Sequence, residues 1–337
     1  MLGSDGCQPS SNERQCACND RVSFAVVPNL PRGSRPSRRA AYVSIAVGVF
    51  GVAWSAILVR WAGVSGLVSA FYRLGFATVA FLPWRVAVHD RTPTAKGGSH
   101  RAAIIAGILF AADLAFFNSA VMMTSAANAA LLGVNAPIFV ALGGWILFKQ
   151  RPHLRFWIGF ALAFVGLAAI VGADVFVHPK LGLGDLFAVL GALCYGLYLL
   201  YVQRSRAGMD TLTFGVWSAG VGALCLLPVC LLARQPLVGF GWRSWASLVA
   251  LALASQVMGQ QLVAHALGRI PATVSSIILL AQAPITALLA WPLLGEPLRG
   301  IQMLGGAFVL AGIVVVNLDR FSTRPSGVPR EVPATLK

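Results

Sequence analysis

Charge is what this sequence has least of. Asp, Glu, Lys and Arg together make up 11% of the 337 residues, and only 11 are acidic. A soluble domain carries about 25% charged residues, so a chain of this length has too few to cover a water-facing surface, and one large soluble core is excluded. A Walker-type phosphate loop is also missing, which removes ATP hydrolysis by that route. No basic helix is interleaved with aromatics, so the net charge of +15 does not point to nucleic acid. Cys7, Cys16 and Cys18 lie in a polar stretch without a fourth ligand nearby, and no zinc spacing is present; neither a metal nor another cofactor is expected. Cys194, Cys225 and Cys230 lie inside apolar runs, where cysteine packs as a small hydrophobe. No short apolar segment with a cleavage site opens the chain, so a cleaved signal is not expected.

Apolar residues dominate instead, at 57%. A helix needs roughly 20 apolar residues to cross about 30 Å of hydrocarbon. Ten such runs occur, at about 40–59, 67–88, 102–122, 125–148, 156–175, 185–202, 212–232, 245–267, 272–294 and 301–318. In lipid the backbone must satisfy its own hydrogen bonds. The runs do not alternate apolar with polar residues as the strands of a membrane barrel do. The expectation is therefore an all-α membrane protein of ten transmembrane helices.

Lys and Arg give an orientation. With the N-terminus cytoplasmic, the outer segments hold only Arg60, Lys180, Arg234, Arg243 and Arg299, and Arg73 lies within a span; the remaining basic residues fall on the inner side. Positive residues near helix ends favour the cytoplasm. Both termini are thus expected inside, flanking the bilayer of a cytoplasmic (inner) membrane. The Ala-, Gly- and Arg-rich composition suggests a bacterial source.

The chain also repeats itself. Residues 135–166 resemble 282–312: Ala136 pairs with Ala283 and Pro137 with Pro284, then, after a one-residue slip, Trp145 with Trp291, Gly159 with Gly305 and Gly166 with Gly312. Each half holds five runs, and an odd number inverts the second half. The layout is a disordered cytoplasmic tail (1–39), a first five-helix repeat (40–175), a second (183–318) and a cytoplasmic C-terminal tail (319–337). Inverted repeats recur in secondary transporters, with a midplane site between the halves.

A mid-span Pro, a Gly-Glu turn and then two glycines seven apart resemble the EamA domain, the repeated unit of the drug/metabolite transporter superfamily. The second half carries Ala283-Pro284, Gly295-Glu296-Pro297, Gly305 and Gly312. The first carries the run 124–140 and Arg73 early in its second span, but Lys149-Gln150-Arg151 stands where the family usually has Gly-Glu-Arg. The resemblance spans about 40–318. It implies two inverted five-helix halves that move small metabolites, often outward, and it does not imply one substrate.

Polar groups inside the runs are the candidate pathway. An ionisable residue there costs about 2.5–3.5 kcal/mol on insertion scales and faces a cavity or a partner. Asp113, central in the third run, suits proton exchange or binding of a cationic amine; the structural alternative is an ion pair with Arg73. Arg73 suits a substrate carboxylate, or snorkelling to the outer surface. Gln256 and Gln260 share a helical face, and Gln260 is the repeat equivalent of Asp113; Gln261 and His265 share another. Interhelical hydrogen bonding is their structural alternative. Asn118, Asn128, Asn135 and Gln282 are further polar groups. Asn135 and Gln282 each precede a helix proline by two, where a freed carbonyl needs a donor. Trp54, Tyr72, Tyr195 and Tyr198 suit stacking on an aromatic or cationic ligand. Glu296 reads as a helix-start carboxylate.

The function expected is secondary active transport, with export and proton coupling as the finer expectation and an amino-acid-like solute or amphipathic amine as substrate. The alternatives are a channel, a non-transporting membrane protein, or a lipid-modifying enzyme. Rings of like charge are absent, and His89, Asp90 and His100 lack a metal or catalytic spacing, so no enzyme is expected. A monomer and a homodimer are both compatible with the sequence.

Overall fold

Every regular element among the described residues is a helix, as a chain this apolar and this poor in charge requires once water is removed from its surroundings. The computed structural model describes residues 38–88, 97–123, 135–149, 152–171, 182–294 and 300–322, all within one unit that begins at Pro36. The helices are α1 (Arg38–Ala53), α2 (Ser55–Ala62), α3 (Gly66–Val88), α4 (Gly97–Met123), α5 (Ala136–Phe148), α6 (Leu154–Val171), α7 (Leu183–Arg206), α8 (Thr211–Leu232) and α9 (Trp242–Ala250). A π-helical segment (Leu251–Gln260) follows, then α10 (Gln261–Leu267), α11 (Ala272–Leu279), α12 (Gln282–Leu294) and α13 (Gly300–Ser322).

Seven stretches are long and apolar enough to cross a membrane: 39–62, 66–86, 99–117, 186–206, 211–232, 242–267 and 272–293. Three shorter apolar helices lie at 136–147, 154–169 and 303–317. The N-terminal part of the run expected at 125–148, residues 1–37 and 323–337 of the two tails, Asn128 and Glu296 lie outside the described residues, while 38–39 and 319–322 belong to helices.

Local signals set the helix ends. Asp210 caps α8, its carboxylate accepting from the Thr213 backbone N–H at 2.9 Å, which satisfies one of the four orphan donors of a helix start. Gly63 ends α2 in the left-handed region, at φ 62°. Lys149 does the same for α5 at φ 53°, its N–H donating to the Gly144 carbonyl; this is the position where the family turn usually has glycine. Pro284 has no N–H to offer the Leu280 carbonyl. That carbonyl accepts from Ala283 at 3.2 Å instead, and Leu280 and Ala281 donate three residues back to Ile277 and Ile278. The tightened backbone divides α11 from α12.

Helices pair across the sequence midpoint. α4 runs along α7, and α1 with α2 runs along the stretch from α9 through α10; α3 packs on α8, and α6 on α13. The last pair is close because both helices are notched: Gly159 lies against Gly312, and Gly166 against Gly305. A core of Leu, Ala, Phe and Ile fills the interior, including Leu74, Phe81, Phe110, Leu199 and Leu267. Large apolar side chains also face outward, among them Val86, Ile146, Leu154, Leu224 and Leu232, the surface that hydrocarbon rather than water rewards.

Candidate functional site

Arg73 does not snorkel. It sits on α3 with 7% of its surface exposed, and its Nε donates to Gln256 Oε1 at 3.0 Å. Gln256 comes from the π segment, so the bond ties the third helix to a stretch of chain 183 residues later. The π ladder joins i to i+5 rather than i+4, a rare geometry that is frequent at functional sites; the expectation of a plain α-helix here is corrected. Gln256 and Gln260 are buried and belong to this segment.

An aromatic ring covers the guanidinium. Its carbon stands 5.5 Å from the centroid of Phe110 on α4, within the range of a cation–π contact. Phe110 stacks on Tyr198 at 4.7 Å, and Tyr198 on Tyr195 at 5.7 Å. Both tyrosines are on α7 at a spacing of three, which puts them on one face. The tight α4–α7 pairing thus delivers the ring stack to Arg73.

Asp113 follows Phe110 by three residues, on the same side of α4. Its side chain is half-buried. Arg73, Tyr195, Tyr198 and Cys194 all lie within its electrostatic reach. Gln260 completes the group: its amide faces the Tyr195 hydroxyl, and its buried Oε1 has no hydrogen-bond partner. Four of the residues singled out from sequence, Asp113, Arg73, Gln256 and Gln260, therefore gather from three helical elements, α3, α4 and the π segment. The cluster offers a guanidinium with five N–H donors, of which Gln256 engages one, a carboxyl group, an unpaired amide oxygen and a wall of three rings.

The other candidates lie elsewhere. Asn135 stands just before α5, and its backbone carbonyl accepts from Ile138 at 2.9 Å; Gln282 opens α12, two residues before Pro284. Both mark proline junctions on other helices. Asn118 is on α4, and its side chain lies outside the described part of the structure. His265, near the end of α10, has Thr211 Oγ1 3.4 Å from its Nδ1 and Arg269 Nη1 2.9 Å from its Nε2. Tyr72 donates to the Leu237 carbonyl at 2.5 Å and packs among Phe76 and Trp245. Trp54 meets Phe50 edge-on. Sequence reasoning missed Phe110; its three-residue spacing from Asp113 was the available signal.

The sequence profile of the EamA-like transporter family matches the chain twice, over residues 39–172 and 182–318. An uncharacterized transporter of Archaeoglobus fulgidus is 24% identical over 259 residues, covering 77% of this chain and 89% of that one. The "Probable terminal-alkyne amino-acid exporter" of Streptantibioticus cattleyicolor is 26% identical, over 57% of this chain and 64% of its own. The "Probable amino-acid metabolite efflux pump" of Salmonella typhimurium is 26% identical, over 63% and 74%. A crystal structure of a chain 19% identical superposes with a TM-score of 0.68, covering 85% of this chain and 100% of that one; at that identity the likeness is one of fold.

Proposed function

The chain belongs to the EamA-like transporter family, and from that premise we propose that it is a secondary active exporter of small amino-acid-like metabolites, working by alternating access between two inverted five-helix halves. The two profile matches, one per half, support the division. So does the glycine pairing: if Gly159 corresponds to Gly305 and Gly166 to Gly312, exchanging the halves turns the Gly159–Gly312 contact into the Gly305–Gly166 contact, and both exist. The pairing of α4 with α7 and of α1 with the π segment and α10 is related in the same way.

The observation that carries the substrate reading is the joint presence of Arg73, Asp113 and the Phe110–Tyr198–Tyr195 stack around one buried position. An α-amino acid presents a carboxylate and an ammonium within a few ångströms. Arg73 suits the first, Asp113 the second, and the rings suit an apolar or aromatic remainder. Two relatives named for amino-acid export or efflux support the same class. In this reading the termini are cytoplasmic, the membrane is a bacterial cytoplasmic membrane, and Asp113 exchanges a proton for the ammonium as the halves rock.

Metabolite profiling of cells and medium, with and without overexpression, tests this. The expectation is an amino-acid-like solute that moves outward with the intact protein and not with Asp113→Asn. A solute that moves equally with the Asn variant removes Asp113 from the mechanism. An unchanged metabolite profile in a host fed a full set of amino acids and their derivatives contradicts the substrate class.

A further inference from the structure

Two adjacent residues at the junction of the π segment and α10 bury polar atoms without a partner: Gln260 Oε1 and Gln261 Nε2. An unsatisfied buried polar atom costs about 1–3 kcal/mol, and the usual remedy inside proteins is ordered water. The two amides point toward different helices. Gln260 faces Tyr195 on α7, on the Asp113 side. Gln261 lies against Gly215 on α8, so close that a Cβ there would strike its Nε2. One helical turn further along, His265 meets Thr211, which is one turn before Gly215. Gln261 with Gly215 and His265 with Thr211 thus form two rungs of one antiparallel α8–α10 contact.

We infer that this seam is a hydrated proton path that connects Asp113 to the basic end of the protein, with water held by Gln260 and Gln261 and with His265 as its surface terminus. The inference deepens the coupling reading of Asp113 and rests on it. The balance is simple: the Asp113 carboxyl releases a proton to the water beside Tyr195 and Gln260, the proton passes along the water chain, and the His265 imidazole takes one up and gives one to bulk. The amides hold the water and gain no charge. An imidazole is the side chain suited to the last transfer, because its two nitrogens bind and release protons near neutral pH. Its Nδ1 faces Thr211 and its Nε2 faces Arg269, while Arg206 approaches from α7 beside Asp210. Among the described residues, the charged or titratable neighbours of Asp113 are Arg73 from α3 and Cys194, Tyr195 and Tyr198 from α7. Gly215 is what lets the Gln261 amide lie against α8: any larger residue would occupy its place.

The test needs no substrate. The purified full chain in lipid nanodiscs is given a pH jump, and the carboxyl infrared band of Asp113, assigned by its loss in Asp113→Asn, is followed in time. Gln261→Met keeps the volume of the side chain and removes the water ligand; His265→Ala removes the terminus. Each is expected to slow the relaxation by about tenfold or more, with the amplitude and midpoint of the band unchanged, and free imidazole is expected to restore the rate in His265→Ala alone. If Gln261→Met does not fold, His265→Ala with imidazole rescue carries the test by itself. Relaxation at the wild-type rate in the folded variants overturns the path. A shifted midpoint without slowing, or slowing that imidazole leaves untouched in His265→Ala, does the same and returns these residues to packing. A carboxyl band that survives Asp113→Asn overturns the coupling reading itself, and the path falls with it.

Discussion

Gly159 and Gly312 meet backbone to backbone: a Cβ added to Gly159 would lie 2.6 Å from the Gly312 carbonyl oxygen. The reciprocal pair, Gly166 and Gly305, is as close, and a Cβ on Gly166 would also come within 2.7 Å of Phe308 Cβ. Helices without a hydrophobic drive between them associate by close packing at small residues, and this is such a contact.

Gly159→Val is therefore expected to destabilise the protein by about 1–3 kcal/mol through overpacking, seen as a lower thermal midpoint in detergent. Gly312→Val should behave alike. The control is Gly75 on α3, where an added Cβ meets nothing within 4 Å. Gly75→Ala should be neutral or gain up to about 1 kcal/mol from helix propensity.

Lys149 ends α5 at φ 53° with a side chain that disfavours that backbone. Left-handed geometry costs a non-glycine residue about 1–2 kcal/mol. Lys149→Gly removes that cost and raises unfolded-chain entropy, so a net gain of roughly 0.5–1 kcal/mol is expected. A thermal midpoint that falls would show that the lysine side chain contributes a contact at the turn.

Gln256 is the acceptor for a buried guanidinium. Gln256→Leu leaves the Arg73 Nε–H unpaired, and loss of a hydrogen bond to a charged group is expected to cost about 1.5–3 kcal/mol. Arg73→Lys keeps the charge but removes the fork of donors. Amino-acid binding to Arg73→Lys, followed by calorimetry on the purified protein, should weaken by about tenfold or more if Arg73 holds the carboxylate, while an amine lacking the carboxylate should bind both forms equally.

The orientation is open to a labelling test. In a background with the native cysteines replaced, Val238→Cys, in the exposed segment before α9, should react with a membrane-impermeant maleimide on intact cells. Ala207→Cys, in the exposed turn before α8, should react only after permeabilisation. The reverse pattern would overturn the cytoplasmic placement of the termini.

Much of the helical plan was legible because its cause is local. The run at 212–232 is the helix Thr211–Leu232, and the run at 67–88 is Gly66–Val88, since apolar length and a cap such as Asp210 act within a few residues. The Pro284 junction was legible for the same reason. The site was half legible. Asp113, Arg73, Gln256 and Gln260 stand out as polar groups in apolar runs, but an ion pair of Arg73 with Asp113 was the structural reading, and the Arg73 Nε goes to Gln256 instead. That choice depends on a contact 183 residues apart and on a π register that no propensity encodes. Phe110 was hidden among other aromatics until α4 and α7 were brought together.

The most direct test of the central claim is uptake of a labelled amino-acid mixture into proteoliposomes of the purified protein under an imposed pH gradient. The account predicts accumulation that follows the direction of the gradient, collapses with a protonophore and is lost in Asp113→Asn. Uptake that ignores the gradient and is matched by Asp113→Asn would contradict it.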